Sequence, residues 1–162
     1  MTNPLTANFL LEDLTRSSTA TRLGIRNSPT AAHVEALRLL SSSVLEPIYK
    51  RHRGVIITSG YRSPELNAAI GGSVNSQHCK GQAVDIEVPP VANRELAEWI
   101  VANLVFDQVI LEFHSPKDPS AGWVHVSHVS AAKNRRQIFT AARNRDGVVV
   151  YTQGFPKRPA KS

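Results

Sequence analysis

The 162-residue chain has a single cysteine, Cys79, which excludes an intramolecular disulfide and leaves the redox compartment unmarked. No stretch approaches the roughly 20 consecutive apolar residues of a membrane-spanning helix, so membrane insertion is not expected. The opening Met1-Thr2-Asn3-Pro4-Leu5-Thr6-Ala7-Asn8-Phe9 has neither the basic start nor the apolar run of a secretory signal, and the expectation is a chain made in the cytoplasm. Internal repeats and linkers are missing too. Zinc-finger ligand spacing and an RNA-recognition motif are equally absent. One domain, long enough to bury a single core without crosslinks, is the economical reading.

What is present is an ordinary globular composition with a basic excess. Hydrophobic residues make up 41% and charged residues 20%, the balance of a chain that can fold around a core. The net charge of +6 draws polyanions, and nucleic acid and bacterial cell wall both qualify. Much of the excess is late, at Lys133, Arg135, Arg136, Arg143, Arg145, Lys157, Arg158 and Lys161. A solvated basic face that aids solubility accounts for it equally well. With charge as its sole support, a nucleic-acid partner is not expected.

Helical and strand patterns follow one another. Residues 1 to 8 read as a loose arm, Phe9 to Leu14 as a short helical turn, and Thr15 to Ala20 as a source of hydroxyl caps, with Gly24 and Asn27 as stops. Ser28-Pro29 then opens the clearest helix, where Val34, Leu37, Leu40, Val44, Leu45 and Ile48 recur at helical spacing and Pro47 predicts a late kink. Val55 to Thr58 predicts a strand and Glu65 to Ile70 a short helix. Ala83 to Val88 alternates as a strand with Asp85 and Glu87 on one face. Asn93 to Leu104 predicts an amphipathic helix; Gln108 to Glu112 and Trp123 to Ser127 predict strands. Gln137 to Thr140 and Val148 to Tyr151 can pair as a closing hairpin or edge. The whole reads as α+β: an antiparallel sheet with flanking helices over residues 1–155, and a mobile basic tail over 156–162.

The chemistry concentrates in Ser76-Gln77-His78-Cys79-Lys80-Gly81-Gln82-Ala83-Val84-Asp85, a polar loop running into a strand, and in Trp123-Val124-His125-Val126-Ser127 much later. Two histidines and a carboxylate suit zinc, which accepts imidazole nitrogen and carboxylate oxygen and, in catalytic sites, keeps one tetrahedral position open. His78, Asp85 and His125 are thus candidate ligands of one zinc ion. Spacing alone leaves the plainer readings open, a hydrogen-bonded histidine on a strand and an aspartate that forms a turn.

Ser76-x-His78-x-x-Gly81-x-Ala83-x-Asp85, followed by Trp123-x-His125, resembles the signature of the zinc D,D-carboxypeptidase family. That family includes D-Ala-D-Ala dipeptidases and phage L-alanyl-D-glutamate endopeptidases, and shares its fold with the hedgehog signalling domain. Ser59-Gly60-Tyr61-Arg62-Ser63 and Phe106-Asp107-Gln108-Val109-Ile110-Leu111-Glu112 are similar to it as well, particularly to its short single-domain phage and bacterial members. The similarity runs from about Phe9 to Ser127.

The resemblance implies zinc on His78, Asp85 and His125, and a glutamate ahead of the last ligand as general base, for which Glu112 is the best match. Many relatives carry that glutamate only a few residues before the histidine, whereas 13 positions separate Glu112 from His125. Two antiparallel strands joined by the His114–Gly122 loop would bring them together; Glu87 and His114 are the alternatives. Arg62 suits a substrate carboxylate or a developing oxyanion, or else pins its own turn to a nearby carboxylate. Ser76 and His114 are candidate substrate contacts, with turn capping and a plain loop position as the alternatives. Cys79 is set aside as a ligand, because a thiolate would close the site. Asp107, Ser127 and His128 are candidate partners orienting the ligand imidazoles.

The implied activity is hydrolysis of an amide bond in the stem peptide of peptidoglycan, at D-Ala-D-Ala or at L-Ala-D-Glu. The implied setting is a monomeric phage endolysin released with a holin or carried in the virion. The competing reading is a non-catalytic zinc-binding virion or cell-wall module of the same fold.

Overall fold

The computed structural model describes residues 3–158 and 160. In chain order it contains α1 (Leu11–Thr15), α2 (Ser18–Leu23), α3 (Ala31–Leu40), a π-helical turn (Ser41–Leu45), α4 (Glu46–His52), β1 (Ile56–Ser59) and α5 (Pro64–Ala69). A 3-10 turn (Gln77–Lys80), β2 (Ala83–Glu87), α6 (Asn93–Asn103), β3 (Gln108–Glu112), β4 (Trp123–Ser127), β5 (Gln137–Arg143) and β6 (Val149–Gln153) complete it. Among the described residues no helix is long and apolar enough to cross a membrane.

The six strands form one sheet in the order β1-β2-β4-β3-β5-β6. The α+β class holds, but the expectation of an antiparallel sheet is corrected: β3 and β5 run parallel, while the other four pairings are antiparallel. The connection after β4 explains this. β4 ends beside the start of β3, and the chain passes around Asp107 to begin β5 at that same end, on the far side of β3. The Asp107 backbone anchors the crossing, donating to the Ser127 carbonyl at 2.7 Å and accepting from the Gln137 N–H at 2.8 Å.

Alternation along the strands gives the sheet two different faces. Val84 and Ile86 of β2, Val109 and Leu111 of β3, and Val124 and Val126 of β4 are fully buried. They share the core with Leu37, Leu40, Val44, Leu45 and Ile48 of the α3–α4 segment and with Leu96 and Ile100 of α6. The other face carries Asp85, His125, Ile110 and Glu112, and it is the face that bears the site.

The long helix starts at the Thr30 cap, whose hydroxyl accepts from the His33 N–H, two residues after the expected Ser28. Pro47, lacking an N–H, follows a widened π turn in which the Glu46 N–H reaches back five residues to the Ser41 carbonyl. The apolar stripe therefore stays on the core through the irregularity.

Residues 3–8 are docked rather than a loose arm. Leu5 and Phe9 are buried in the core, Arg38 donates to the Pro4 and Leu5 carbonyls, and Asn8 is held by the Glu46 carboxylate. Met1 and Thr2 lie outside the described residues. At the other end Phe155 packs against the core, and Arg158, expected to be in the mobile tail, forms an ion pair with Glu98 on α6. Pro159, Lys161 and Ser162 of that tail lie outside the described residues.

Candidate metal centre

Three chain segments build the centre. The first is the loop after β1. The Tyr61 N–H donates to the Leu14 carbonyl at 2.7 Å, and a Cβ on Gly60 would lie 2.2 Å from that same oxygen, so only glycine allows this approach. Asn27 ties the loop down: its amide donates to the Thr15 and Tyr61 carbonyls, and its oxygen accepts from the Ser63 N–H. Asn27 is thus a tie between loops and not simply a helix stop. Two of its three partners, Tyr61 and Ser63, are more than 30 positions away, which no local pattern announces.

The second segment is the 3-10 turn. Ser76 caps it by accepting from the His78 N–H at 3.3 Å, and Gly81 ends it in the left-handed region at φ 68°. The Arg62 N–H donates to the His78 carbonyl, locking this turn to the β1 loop. The third segment is the central sheet. Register sets Asp85 of β2 opposite His125 of β4, and His125 opposite Ile110 of β3. Glu112 lies two residues along β3 on the same face, opposite Trp123. The antiparallel β3–β4 pair thus closes the 13-residue gap between Glu112 and His125.

The donor atoms converge. His125 Nδ1 is 3.0 Å from Asp85 Oδ1, His78 Nε2 is 3.3 Å from the same oxygen, and the two histidine nitrogens are 3.3 Å apart. Tetrahedral zinc with bonds of about 2.0–2.1 Å requires donors about 3.3 Å from one another, so the triangle is of the right size. The tautomer of His78 supports the same conclusion. Its Nδ1 donates to the Gly60 carbonyl at 2.7 Å, which leaves a neutral ring presenting a bare lone pair on Nε2 to a carboxylate oxygen. Two electron-rich atoms facing each other in a buried site are stable when they share a cation. Among the described residues this His–Asp–His set is a group that can hold a metal, and all three members are buried.

The local fields agree with that use. Burial holds the His78 imidazole below its ordinary range against the pull of Asp85, which favours the neutral, ligating ring. Burial opposes ionisation of Asp85, but His78 and His125 outweigh it and keep its carboxyl well below the usual carboxylate range. Glu112 goes the other way: burial, then the charge of Asp85, pushes it up to about 7, with His125 and Arg62 pulling it partly back. Its Oε1 is 3.9 Å from His125 Nδ1, beyond hydrogen-bond distance yet beside the triangle.

A cleft of about 800 Å³ opens on this face, lined by His78, His125, Glu112, Phe139 and Tyr151 among others. A second lobe of about 870 Å³ adjoins it on the β1 side, and both share Arg62, Asp85 and Trp123. The candidate centre sits where the two lobes meet.

The remaining candidates divide. Arg62 is at the centre, but its guanidinium is engaged: Nη2 donates to Asp85 Oδ2 at 3.0 Å and Nε to Ser59 Oγ at 2.9 Å. Ser76 lines the cleft while capping its turn. His114 does not line either lobe. Phe113, with φ 54°, breaks the strand alternation after Glu112, and burial, then the charge of Arg94, lowers the affinity of His114 for a proton. The expected substrate contact at His114 is therefore not among the residues that the two lobes bring together. Glu87, the other candidate base, lines neither lobe, whereas Glu112 lines the cleft.

Asp107, Ser127 and His128 do not orient the ligand imidazoles. The Asp107 carboxylate takes Arg135 and Gln77, the Ser127 hydroxyl accepts from the Gln108 N–H, and His128 donates its backbone N–H to the Gln82 carbonyl. The partner that orients His78 is the Gly60 carbonyl, which sequence motifs cannot display because any residue has one. Cys79 is outside the cluster, and burial pushes its thiol up, away from the ligating thiolate.

Fold and site together define a class: an α+β protein with a buried His–Asp–His centre able to hold a metal, and a carboxylate beside it. The model of the peptidase M15 family matches residues 7–127, and the chain belongs to that family. The match includes Arg62, His78, Asp85, Glu112 and His125, and ends before β5 and β6. No curated protein matches the chain.

Proposed function

We propose that the protein is a zinc peptidase that hydrolyses an amide bond in the peptidoglycan stem peptide. The observation that carries this reading is the triangle of His78 Nε2, Asp85 Oδ1 and His125 Nδ1, with the Glu112 carboxylate beside it in an open cleft. His78, Asp85 and His125 would hold the ion, which when bound supplies Lewis acidity towards a carbonyl and makes water a better nucleophile.

The chain's own groups do the rest. Glu112, beside the triangle, is placed to accept a proton from the attacking water and to return it to the leaving amine. Arg62 fixes the Asp85 carboxylate through Nη2, and its Nη1 is the atom that remains for a substrate oxygen. Ser76 holds the His78 turn in place and borders the bound peptide. The basic surface favours an anionic cell wall as the setting, and a phage endolysin matches a chain of this size and charge.

The test is digestion of purified peptidoglycan with the zinc-loaded protein, with and without a chelator, reading new termini by mass spectrometry. New amine and carboxyl ends within the stem peptide, lost on chelation and regained with zinc, are the expected result. Absence of any chelator-sensitive amide cleavage would sink the reading.

A further inference from the structure

The β5–β6 hairpin lies outside the family-matched residues, yet it forms one side of the same cleft. Parallel pairing sets Glu112 opposite Ala141, and the hairpin sets Ala141 opposite Tyr151. Residues in register on adjacent strands face the same side of a sheet, so Glu112, Ala141 and Tyr151 form one row across three strands. Ala141 is fully buried beneath its neighbours, so the cleft is lined by Glu112 and Tyr151 on either side of it and not by Ala141 itself. At about 4.8 Å per strand the β3 and β6 backbones are about 10 Å apart, which puts the Tyr151 ring on the same wall of the cleft as the Glu112 carboxylate.

Independent observations agree. Tyr151 is 58% exposed, so its ring is free for a ligand, and it lines the cleft together with His78 and His125. A tyrosine phenol, with an ordinary pKa of about 10, is a neutral donor at neutral pH. In the next row Phe139 is opposite Ile110, itself opposite His125, and adds a second aromatic ring to the same wall. The hairpin is also fastened to the site: the Phe113 N–H donates to the Ala141 carbonyl at 2.8 Å. The Phe113 ring lies between Trp123 and the Arg143 guanidinium, at 5.2 and 5.4 Å. A centre made of charged groups is thereby given an aromatic side.

We propose that this hairpin is the substrate-selecting wall of the peptidase, with the Tyr151 ring covering the bound peptide backbone and its hydroxyl donating to a substrate carbonyl oxygen. This rests on the peptide-cleaving reading above. Tyr151 is a binding and specificity residue, so its loss raises KM more than it lowers kcat.

The experiment compares the zinc-loaded wild type with Tyr151→Phe, Tyr151→Ala and Val150→Ala, using soluble peptidoglycan stem peptides as substrate. Val150 points to the opposite side of β6 and is the control. The expected losses in kcat/KM are about fivefold for Tyr151→Phe and about 30-fold for Tyr151→Ala, with Val150→Ala within about twofold and zinc content unchanged in all. A second readout avoids catalysis: in zinc-loaded Glu112→Gln protein, the Tyr151 ring resonances shift when stem peptide is added.

Cleavage by wild type with Tyr151→Ala within twofold of it, and with unmoved ring resonances, overturns the wall while leaving the peptidase reading standing. No cleavage of any stem peptide by wild type overturns that reading and the wall with it. If Tyr151→Ala does not fold, Tyr151→Phe and the resonances decide.

Discussion

His78 Nδ1 donates to the carbonyl oxygen of Gly60 at 2.7 Å, so a backbone group 18 residues earlier selects the tautomer of a candidate metal ligand. Gly60 can be there only because it has no Cβ, which would lie 2.2 Å from the Leu14 carbonyl oxygen. Gly60→Ala is therefore expected to move the β1 loop and release the ring. Partners of this kind typically contribute 10- to 100-fold to metal affinity, so zinc binding should weaken by about that factor. Competition with a chromophoric chelator measures it, and an affinity within twofold of wild type would show that the carbonyl does not matter.

Glu112 provides a second prediction with two parts. Glu112→Gln should lower kcat on stem peptides by about 10²- to 10⁴-fold while the protein still binds zinc. It should also change the stability of the metal-free protein in a direction fixed by the raised pKa. From the ordinary 4.5 to about 7 the folded state binds more protons here than the unfolded state, so stability falls as pH rises through that window and stays lower above it. The Gln variant escapes this loss. Metal-free Glu112→Gln should thus match wild type near pH 4 and exceed it above pH 7, by about 2–3 kcal/mol at most. Thermal melts across pH test this, and parallel curves would refute it.

The parts of this picture that were legible in the sequence are the periodic ones. Strands Gln108–Glu112 and Trp123–Ser127 were readable to the residue, because alternation on a sheet with one buried face is a strong pattern. The ligands were readable as candidates through their motif. The parallel β3–β5 pair was not, since direction is set by the path of the chain around Asp107 and leaves no trace in local composition. The docking of residues 3–8 was hidden for a related reason: Leu5 and Phe9 are too few to make a period, and Arg38, which holds the Pro4 and Leu5 carbonyls, is more than 30 positions away. The direction of the chain at His114 was not legible either, because Phe113 adopts a positive φ without being glycine, which no sequence rule anticipates.

Arg62 joins the β1 loop to the centre. Its Nη2 contact with Asp85 Oδ2 is a buried ion pair, with the two side chains 15% and 7% exposed. Removing the guanidinium leaves the buried oxygen without its donor, and lysine replaces a planar fork by a point charge that cannot hold Asp85 and Ser59 together. Arg62→Ala is expected to weaken zinc binding about tenfold or more, with Arg62→Lys recovering only part of the loss. The same chelator competition reads both, and full recovery by lysine would reduce the role of Arg62 to charge alone.

The carboxylate of Asp107 is the other buried anion that organises this region, although it is remote from the ligands. It accepts from the Arg135 backbone N–H and guanidinium and from the Gln77 side chain, the residue directly before His78. Burial opposes its ionisation, but the Arg135 hydrogen bonds prevail and bring it down to about 2 from an ordinary 3.8. A lowered pKa contributes stability that is complete above the unfolded value and disappears as pH falls through the folded one. Asp107→Asn should therefore cost about 2 kcal/mol at pH 7 and progressively less from about pH 4 to pH 2, where the two proteins converge. The crossing after β4 hangs on the same residue, so the variant should also bring earlier proteolysis of the 128–136 connection. Denaturant melts at pH 7, 4 and 2 decide the case: a constant difference across the series would mean that Asp107 acts through its shape and not through its charge.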